Sequence, residues 1–293
     1  MKIVFFGTPD YVLPILTTIH KRFVTGPGKS PIIAVVTQSP KPVGRKQILT
    51  YSPIDKWAHE HKIPIHYSAS ELAVDSVKAD IGILASYGEI IRKDVIDLFP
   101  HGILVIHPSL LPKYRGASPI PAAIAAGETV TGVSIFKMDE KVDHGPIISQ
   151  FKEDILPTDT TETLRARLFE RSADVLTELI APYMQGKITP KIQDDSEATF
   201  TKIVTRQDGF IDLNEKTGEE AERFIRAMQP WPGAWTLIHL SAADTQVKRL
   251  KILNANIEEG KLALDEVQLE GKEKVSWKQF KEGHRDVAFV AKG

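Results

Sequence analysis

The sequence contains no cysteine. That absence excludes a disulfide framework, a thiolate zinc site, an iron–sulfur cluster and a cysteine nucleophile. It also suits a cytoplasmic location. Long apolar runs are missing too: nothing approaches the roughly 20 residues that cross a bilayer as a helix. The apolar start, Ile3-Val4-Phe5-Phe6, is too short for a secretory leader, and Pro9 and Asp10 follow at once. A charge excess of either sign is lacking: 37 basic and 38 acidic side chains leave a net charge of −1. Such balance argues against a chain that coats nucleic acid through bulk charge. There is no internal repeat and no low-complexity segment. With 42% hydrophobic and 26% charged residues, a disordered chain is excluded.

What remains is an ordinary globular chain of 293 residues, near the size at which one core divides into two. Short, β-branched apolar runs predict strands over residues 2–6, 32–37, 80–85, Ile103–His107 and 132–138. Helical patterns lie between them at 11–23, 53–61, 89–98 and 117–126. Alternation of this kind predicts an α/β fold with a mostly parallel, Rossmann-like sheet. A long helix follows, with Asp159 and Glu162 as an expected capping box and Leu164, Leu168, Leu176, Leu179 and Tyr183 on one face. The polar stretch after Gly186 reads as a linker. Beyond it, short strands at 236–240, 246–254 and 262–269 predict a small β-barrel or partial barrel. The expected division is a catalytic domain at 1–187, a linker at 188–203 and a shortened, OB-like domain at 204–293.

In an open α/β sheet, ligands bind at the carboxyl ends of the strands. The first strand ends in Gly7-Thr8-Pro9-Asp10. It lacks the second and third glycines of the dinucleotide fingerprint, which argues against a nicotinamide cofactor. Another strand ends in His107, and Asp143 follows the next. A carboxylate beside an imidazole can orient it and tune it for proton transfer near neutral pH. No further histidine or carboxylate stands at ligand spacing, so a metal centre is not expected.

Four motifs occur in a telling order: Gly7-Thr8-Pro9-Asp10, Ser109-Leu110-Leu111-Pro112-Lys113-Tyr114-Arg115-Gly116, Asp143-x-Gly145 and Pro232-Gly233-Ala234-Trp235. With them the chain resembles the methionyl-tRNA formyltransferase family over nearly its whole length. The 109–116 run is specific to the 10-formyltetrahydrofolate-dependent transferases as a group. The segment Thr37-Gln38-Ser39-Pro40-Lys41-Pro42-Val43-Gly44-Arg45-Lys46 and the C-terminal β-domain are similar to the tRNA enzymes in particular.

The resemblance implies formyl transfer from 10-formyltetrahydrofolate to the amine of methionyl initiator tRNA, without a metal, by a cytoplasmic and monomeric enzyme. Of the family's Asn–His–Asp trio, His107 matches the histidine and Asp143 the aspartate, while Val105 occupies the asparagine position. Ser86, Tyr87, Gly88, Ser109, Leu110, Leu111 and Pro112 fall on the folate side. Gly7, Thr8, Pro9, Lys41, Arg45, Lys46, Tyr114 and Arg115 fall on the acceptor side, with Arg45 matching an arginine that meets the acceptor end of tRNA. Positions 105 and 107 of one strand share a face, and valine offers no hydrogen bond to a developing oxyanion. Losing one such donor costs about 2.7–4 kcal/mol. Two alternatives stay open: a formyltransferase for a small amine (an aminosugar nucleotide or a purine precursor), and a catalytically impaired folate- or tRNA-binding module.

A tRNA ligand should leave a mark in charge. Residues 201–293 hold 15 Lys/Arg and 15 Asp/Glu, leaving 22 and 23 for the rest. Any tRNA surface must therefore be local: Lys41, Arg45 and Lys46; Lys248, Arg249 and Lys251; or Lys272, Lys274, Lys278 and Lys281. The prolines and glycine of the first cluster predict an irregular segment that orders on binding.

Overall fold

A computed structural model describes residues 1–26, 29–44, 46–241 and 246–290. In chain order the first part gives β1 (Ile3–Gly7), α1 (Leu13–Phe23), β2 (Ile32–Val36), β3 (Lys41–Val43), β4 (Ile48–Thr50), α2 (Pro53–Glu60), β5 (Ile65–His66), α3 (Glu71–Val74), β6 (Ile81–Ala85), α4 (Lys93–Ile96) and β7 (Ile103–His107). There follow β8 (Arg115–Gly116), α5 (Pro119–Ala126), β9 (Val130–Lys137), β10 (Ile147–Asp154) and the long α6 (Thr161–Met184). The last part holds β11 (Phe200–Thr201), α7 (Gly218–Ala227), β12 (Ala234–His239), β13 (Lys248–Glu258), β14 (Lys261–Leu269), β15 (Lys274–Ser276), α8 (Trp277–Gly283) and β16 (Ala288–Val290).

Two compact units result. The first comprises 1–115, 132–153 and 165–200; the second comprises 116–131, 154–164 and 201–293. The first is built on a seven-stranded sheet of order β10-β9-β7-β6-β1-β2-β5. Its central strands are buried along their length because helices cover both faces. Parallel pairing joins β1 to β2 and β6, and β6 to β7, while β9 runs antiparallel to β7. The mostly parallel Rossmann-like sheet is thus as the sequence predicts, with β5 and β10 as additional edge strands. On one face Phe6 meets Tyr87 and Phe99 edge-on at 5.8 and 5.9 Å. Such aromatic pairs add about 0.5–1.5 kcal/mol beyond their buried area.

Three local expectations are corrected. The helix expected at 89–98 shrinks to α4, because Glu89 accepts the Tyr87 hydroxyl and Ile91 is buried in the core ahead of it. The cap of α6 is Thr160, whose hydroxyl accepts the Thr163 N–H at 3.3 Å. Asp159 is buried and binds the Leu156 N–H and the Thr163 hydroxyl instead. Residues 41–43 are not irregular but form one strand of a two-stranded ribbon, pairing Lys41 with Thr50, Pro42 with Leu49 and Val43 with Ile48.

The second unit carries an antiparallel sheet of order β15-β14-β13-β12-β16. Ile238, Leu250, Val267 and Phe280 form its core. Helix α7 starts on a capping box between Thr217 and Glu220. Among the described residues no helix is long and apolar enough to cross a membrane.

Candidate active site

The sheet order reverses direction at β1, whose neighbours β2 and β6 lead the chain to opposite sides. A crevice at the carboxyl ends is expected there, and Gly7 pairs with Ala85 at its base. Gly7 has no room for a side chain: a Cβ would lie 2.7 Å from the Phe5 ring. The Thr8 hydroxyl accepts the Gln38 N–H at 3.3 Å, which ties the turn through Pro9 to the end of β2. Buried Thr37 pairs its hydroxyl with that of Ser52 at 2.8 Å. Ser52 in turn caps α2 by accepting the Asp55 N–H.

Across the crevice, Ser86 and Gly88 adopt φ of 51° and 87° and turn the backbone sharply after β6. Tyr87 points the other way. It is 1% exposed, and its hydroxyl donates to Glu89 at 2.8 Å. Burial first, and that hydrogen bond second, push its ionisation well above the usual tyrosine range. The side chain of Tyr87 therefore builds the wall behind the 86–88 turn.

His107 ends β7 and is 5% exposed. Its Nε2 lies 2.9 Å from the Tyr114 carbonyl. A carbonyl only accepts, so the assigned tautomer carries hydrogen on Nε2. Nδ1 faces Asp143 Oδ2 at 3.6 Å. Burial lowers the His107 pKa, against the opposing pull of the Asp143 charge and the Tyr114 carbonyl. The lowering favours the uncharged ring, whose Nδ1 faces the carboxylate. Such a base takes a proton and finds its charged form stabilised at once. Gly145 explains the Asp-x-Gly spacing: a Cβ there would lie within 1.8 Å of the Lys137 carbonyl, so only glycine lets the Asp143 loop seat against β9.

Val105 is buried at 4% exposure in a cluster with Leu111, Phe136 and Ile147, against which Leu84 and Met138 pack. The position two residues before His107 is dry and apolar. Neighbouring hydroxyls do not stand in for an amide. Ser109 donates to the Lys113 carbonyl at 2.7 Å. The Ser134 hydroxyl donates to the Ser109 carbonyl and accepts the Leu111 N–H. Gln150 adds bonds to the Leu111 carbonyl and Ser134. Residues 109–112 are thus held internally, with Leu110 and Pro112 half-buried. Tyr114 takes a φ of 60°.

Arg115 is 3% exposed and turns its guanidinium onto Gln193 and Asp195. Lys41 reaches Gln38 at 3.4 Å, and Lys46 lies exposed in the ribbon turn. Arg45 lies outside the described residues. Ser134, Gln150, Gln193 and Thr199 are the residues of this region that sequence reasoning missed. Gln193 and Thr199 sit in a polar stretch that reads as linker, and no motif marks them. Among the described residues no group of three or more His, Cys, Asp or Glu side chains could hold a metal ion.

The α/β sheet carries an imidazole–carboxylate pair at the carboxyl end of its strands, and an antiparallel-sheet unit follows in the chain. Residues 1–180 match the formyl transferase family and residues 203–263 match the formyl transferase C-terminal domain; the chain belongs to the formyl transferase family. It is 40% identical over 245 residues to a methionyl-tRNA formyltransferase of Roseiflexus, covering 81% of this chain and 73% of that one. Its fold is similar to that of a methionyl-tRNA formyltransferase from Clostridium thermocellum, with a TM-score of 0.61 at 18% identity over 92% of this chain and 98% of that one. It is also similar in fold to HypX from Aquifex aeolicus in complex with tetrahydrofolic acid, with a TM-score of 0.62 at 14% identity over 97% of this chain and 48% of that one.

Proposed function

We propose that this chain formylates the α-amine of methionyl initiator tRNA with 10-formyltetrahydrofolate as donor, His107 acting as proton acceptor and Asp143 as its counter-charge. The observation that carries the reading is the seat of the His107 ring, with Nε2 2.9 Å from the Tyr114 carbonyl and Nδ1 3.6 Å from Asp143 Oδ2. The residues present fit a folate. Leu84 and Met138 are half-buried over an apolar cluster and offer a face for a flat ring. The turned backbone of Ser86 to Gly88 offers hydrogen-bonding edges.

10-Formyltetrahydrofolate supplies the formyl carbon when bound. The new bond joins the amine nitrogen to that carbon, and the bond from the carbon to folate N10 breaks. His107 Nδ1 takes the proton that the amine must shed, and the same imidazolium can return a proton toward the departing nitrogen. Asp143 holds the imidazolium by charge. No covalent enzyme intermediate is needed, which suits a chain without cysteine. Gly7, Thr8 and Pro9 shape the acceptor side of the crevice, and Tyr114 lends its carbonyl to His107. Arg115 serves through the scaffold that it holds. Lys41, Arg45 and Lys46 supply the positive charge that meets tRNA phosphates.

The test is formylation of charged initiator tRNA by the purified chain, with a free aminosugar nucleotide as competing acceptor. Formyl-methionyl-tRNA is the expected product. Formylation of the sugar amine alone would overturn the tRNA reading.

A further inference from the structure

Residues 191–199 form a strap that touches both loops around His107. Lys191 and Ile147 exchange backbone hydrogen bonds at 2.8 Å each way. Gln193, 8% exposed, donates through Nε2 to the carbonyls of Asp143 at 2.9 Å and Gly145 at 2.8 Å. Its Oε1 accepts from Arg115 Nε at 3.1 Å and Nη2 at 2.8 Å. Thr199 then takes the other loop: its hydroxyl accepts the Tyr114 N–H at 2.8 Å and its carbonyl the Arg115 N–H at 2.8 Å.

The two residues that flank the imidazole are both in the left-handed backbone region. Asp143 has φ of 45° and Tyr114 has φ of 60°. Such angles are uncommon for non-glycine residues, more so for a bulky tyrosine than for an aspartate, and surrounding contacts help to hold them. At Asp143 the strap supplies Gln193, and at Tyr114 it supplies Thr199. One side chain therefore joins the Asp143 loop to buried Arg115, which directly follows the residue whose carbonyl orients His107.

We infer that Gln193 is a positioning residue that sets the Asp143 carboxylate against His107 Nδ1, with Thr199 doing the same for the Tyr114 carbonyl at Nε2. The inference deepens the function proposed above and rests on it for its kinetic arm. Among the described residues, the Asp143 carboxylate from the loop after β9 and the Tyr114 carbonyl from the loop after β7 face the imidazole nitrogens. The strand neighbours Val105 and Ser134 carry no charge. Asp195 of the strap pairs with Arg115 at 2.8 Å and lies 3.3 Å from His144 Nε2, whose Nδ1 meets Asp139.

The experiment compares the unaltered chain with Gln193→Met, which keeps the length and removes both amide functions, and with Thr199→Val at an exposed position. Two measurements are made on each. The first is kcat and KM for both substrates. The second is the NMR titration of the His107 ring, assigned by the signal that His107→Asn removes. Gln193→Met should lower kcat about 10- to 100-fold with both KM values within roughly twofold. Its His107 midpoint should move to lower pH, because the carboxylate that favours the imidazolium is no longer held in place. Thr199→Val should perturb the same titration. A variant that melts earlier but keeps kcat and the His107 midpoint would make the strap structural only and overturn the inference. The titration needs no substrate. If the chain formylates nothing, a moved midpoint still supports the positioning role, and an unmoved midpoint still overturns it.

Discussion

The loop of residues 109–115 and the ribbon of β3 and β4 belong to the same unit and are built on opposite principles. In the loop, Ser109 and Arg115 are buried, and the hydroxyl, guanidinium and turning carbonyls find partners within the chain. The ribbon presents Val43, Ile48, Leu49 and Tyr51 to solvent at 56, 62, 53 and 44% exposure, with Lys41 and Lys46 beside them. A loop with satisfied polar groups keeps one geometry, as proton transfer requires. An exposed apolar ribbon with basic residues has surface still to bury, as a large polyanionic partner requires. Rigidity and unmet surface thus divide the proposed chemistry from the proposed recognition.

The largest expected effect falls on the rigid side. His107→Asn removes the proton acceptor and should lower formylation by about 10²- to 10⁴-fold while tRNA affinity stays unchanged. Equal loss of binding would show that the two regions are not separable. Val105→Asn follows, in the opposite direction. An amide on the His107 face should raise kcat by about 10- to 1000-fold. It should also lower stability by about 1–3 kcal/mol, since the amide enters an apolar cluster. Thermal melting beside single-turnover rates measures both. An unchanged rate with lowered stability would mean that position 105 does not face the reacting carbon.

The pH profile gives a smaller effect. His107 works as a base only when neutral, and burial holds its pKa below the ordinary 6.5. Activity should therefore persist as pH falls through 6.5 and decline only below it. Asp143 opposes the burial effect by favouring the charged ring. Asp143→Asn should move the acidic limb of kcat to still lower pH while reducing the plateau. A limb that moves to higher pH would contradict the assigned geometry.

The sequence discloses the loop better than the ribbon, for a physical reason. Strands such as Ile103–His107 advertise themselves because burial on both faces demands apolar, β-branched residues. Gly145 is forced by the Lys137 backbone, so close approach writes itself as a required residue type. Contacts made through backbone leave no such trace. The Tyr114 carbonyl on His107 would be available from any residue, and Gln193 acts on two carbonyls from inside a polar stretch. Charge clusters mislead in the same way. Arg249 reads as one of three clustered basic residues, yet its guanidinium stacks over Trp235 at 3.8 Å, a diagonal neighbour across β12 and β13, where Arg249 pairs with Leu237 and Trp235 with Lys251. Pairing of β3 with β4 was hidden because Pro40, Pro42 and Gly44 are turn formers. Pro42 lies on a two-stranded ribbon, where a missing N–H is tolerated at an edge.

The smallest effect is expected at the ribbon tip and tests recognition alone. Each lysine that neutralises a phosphate releases a counterion, so log affinity falls with log salt by about 0.9 per contact on a duplex. Lys46→Ala should therefore weaken tRNA binding modestly at low salt and reduce the slope by roughly 1. Ile48→Ser acts on the other half of the same surface. Its side chain is 62% exposed, so the substitution should leave the fold intact. If Ile48 is covered by tRNA, affinity should fall by a similar amount at every salt concentration, because apolar burial carries no counterions. Two variants a few residues apart would then separate by their salt slopes, with folate binding and the His107 titration the same in both. A change in either of those last two would mean that the ribbon is coupled to the catalytic loop and that the contrast between the two regions does not hold.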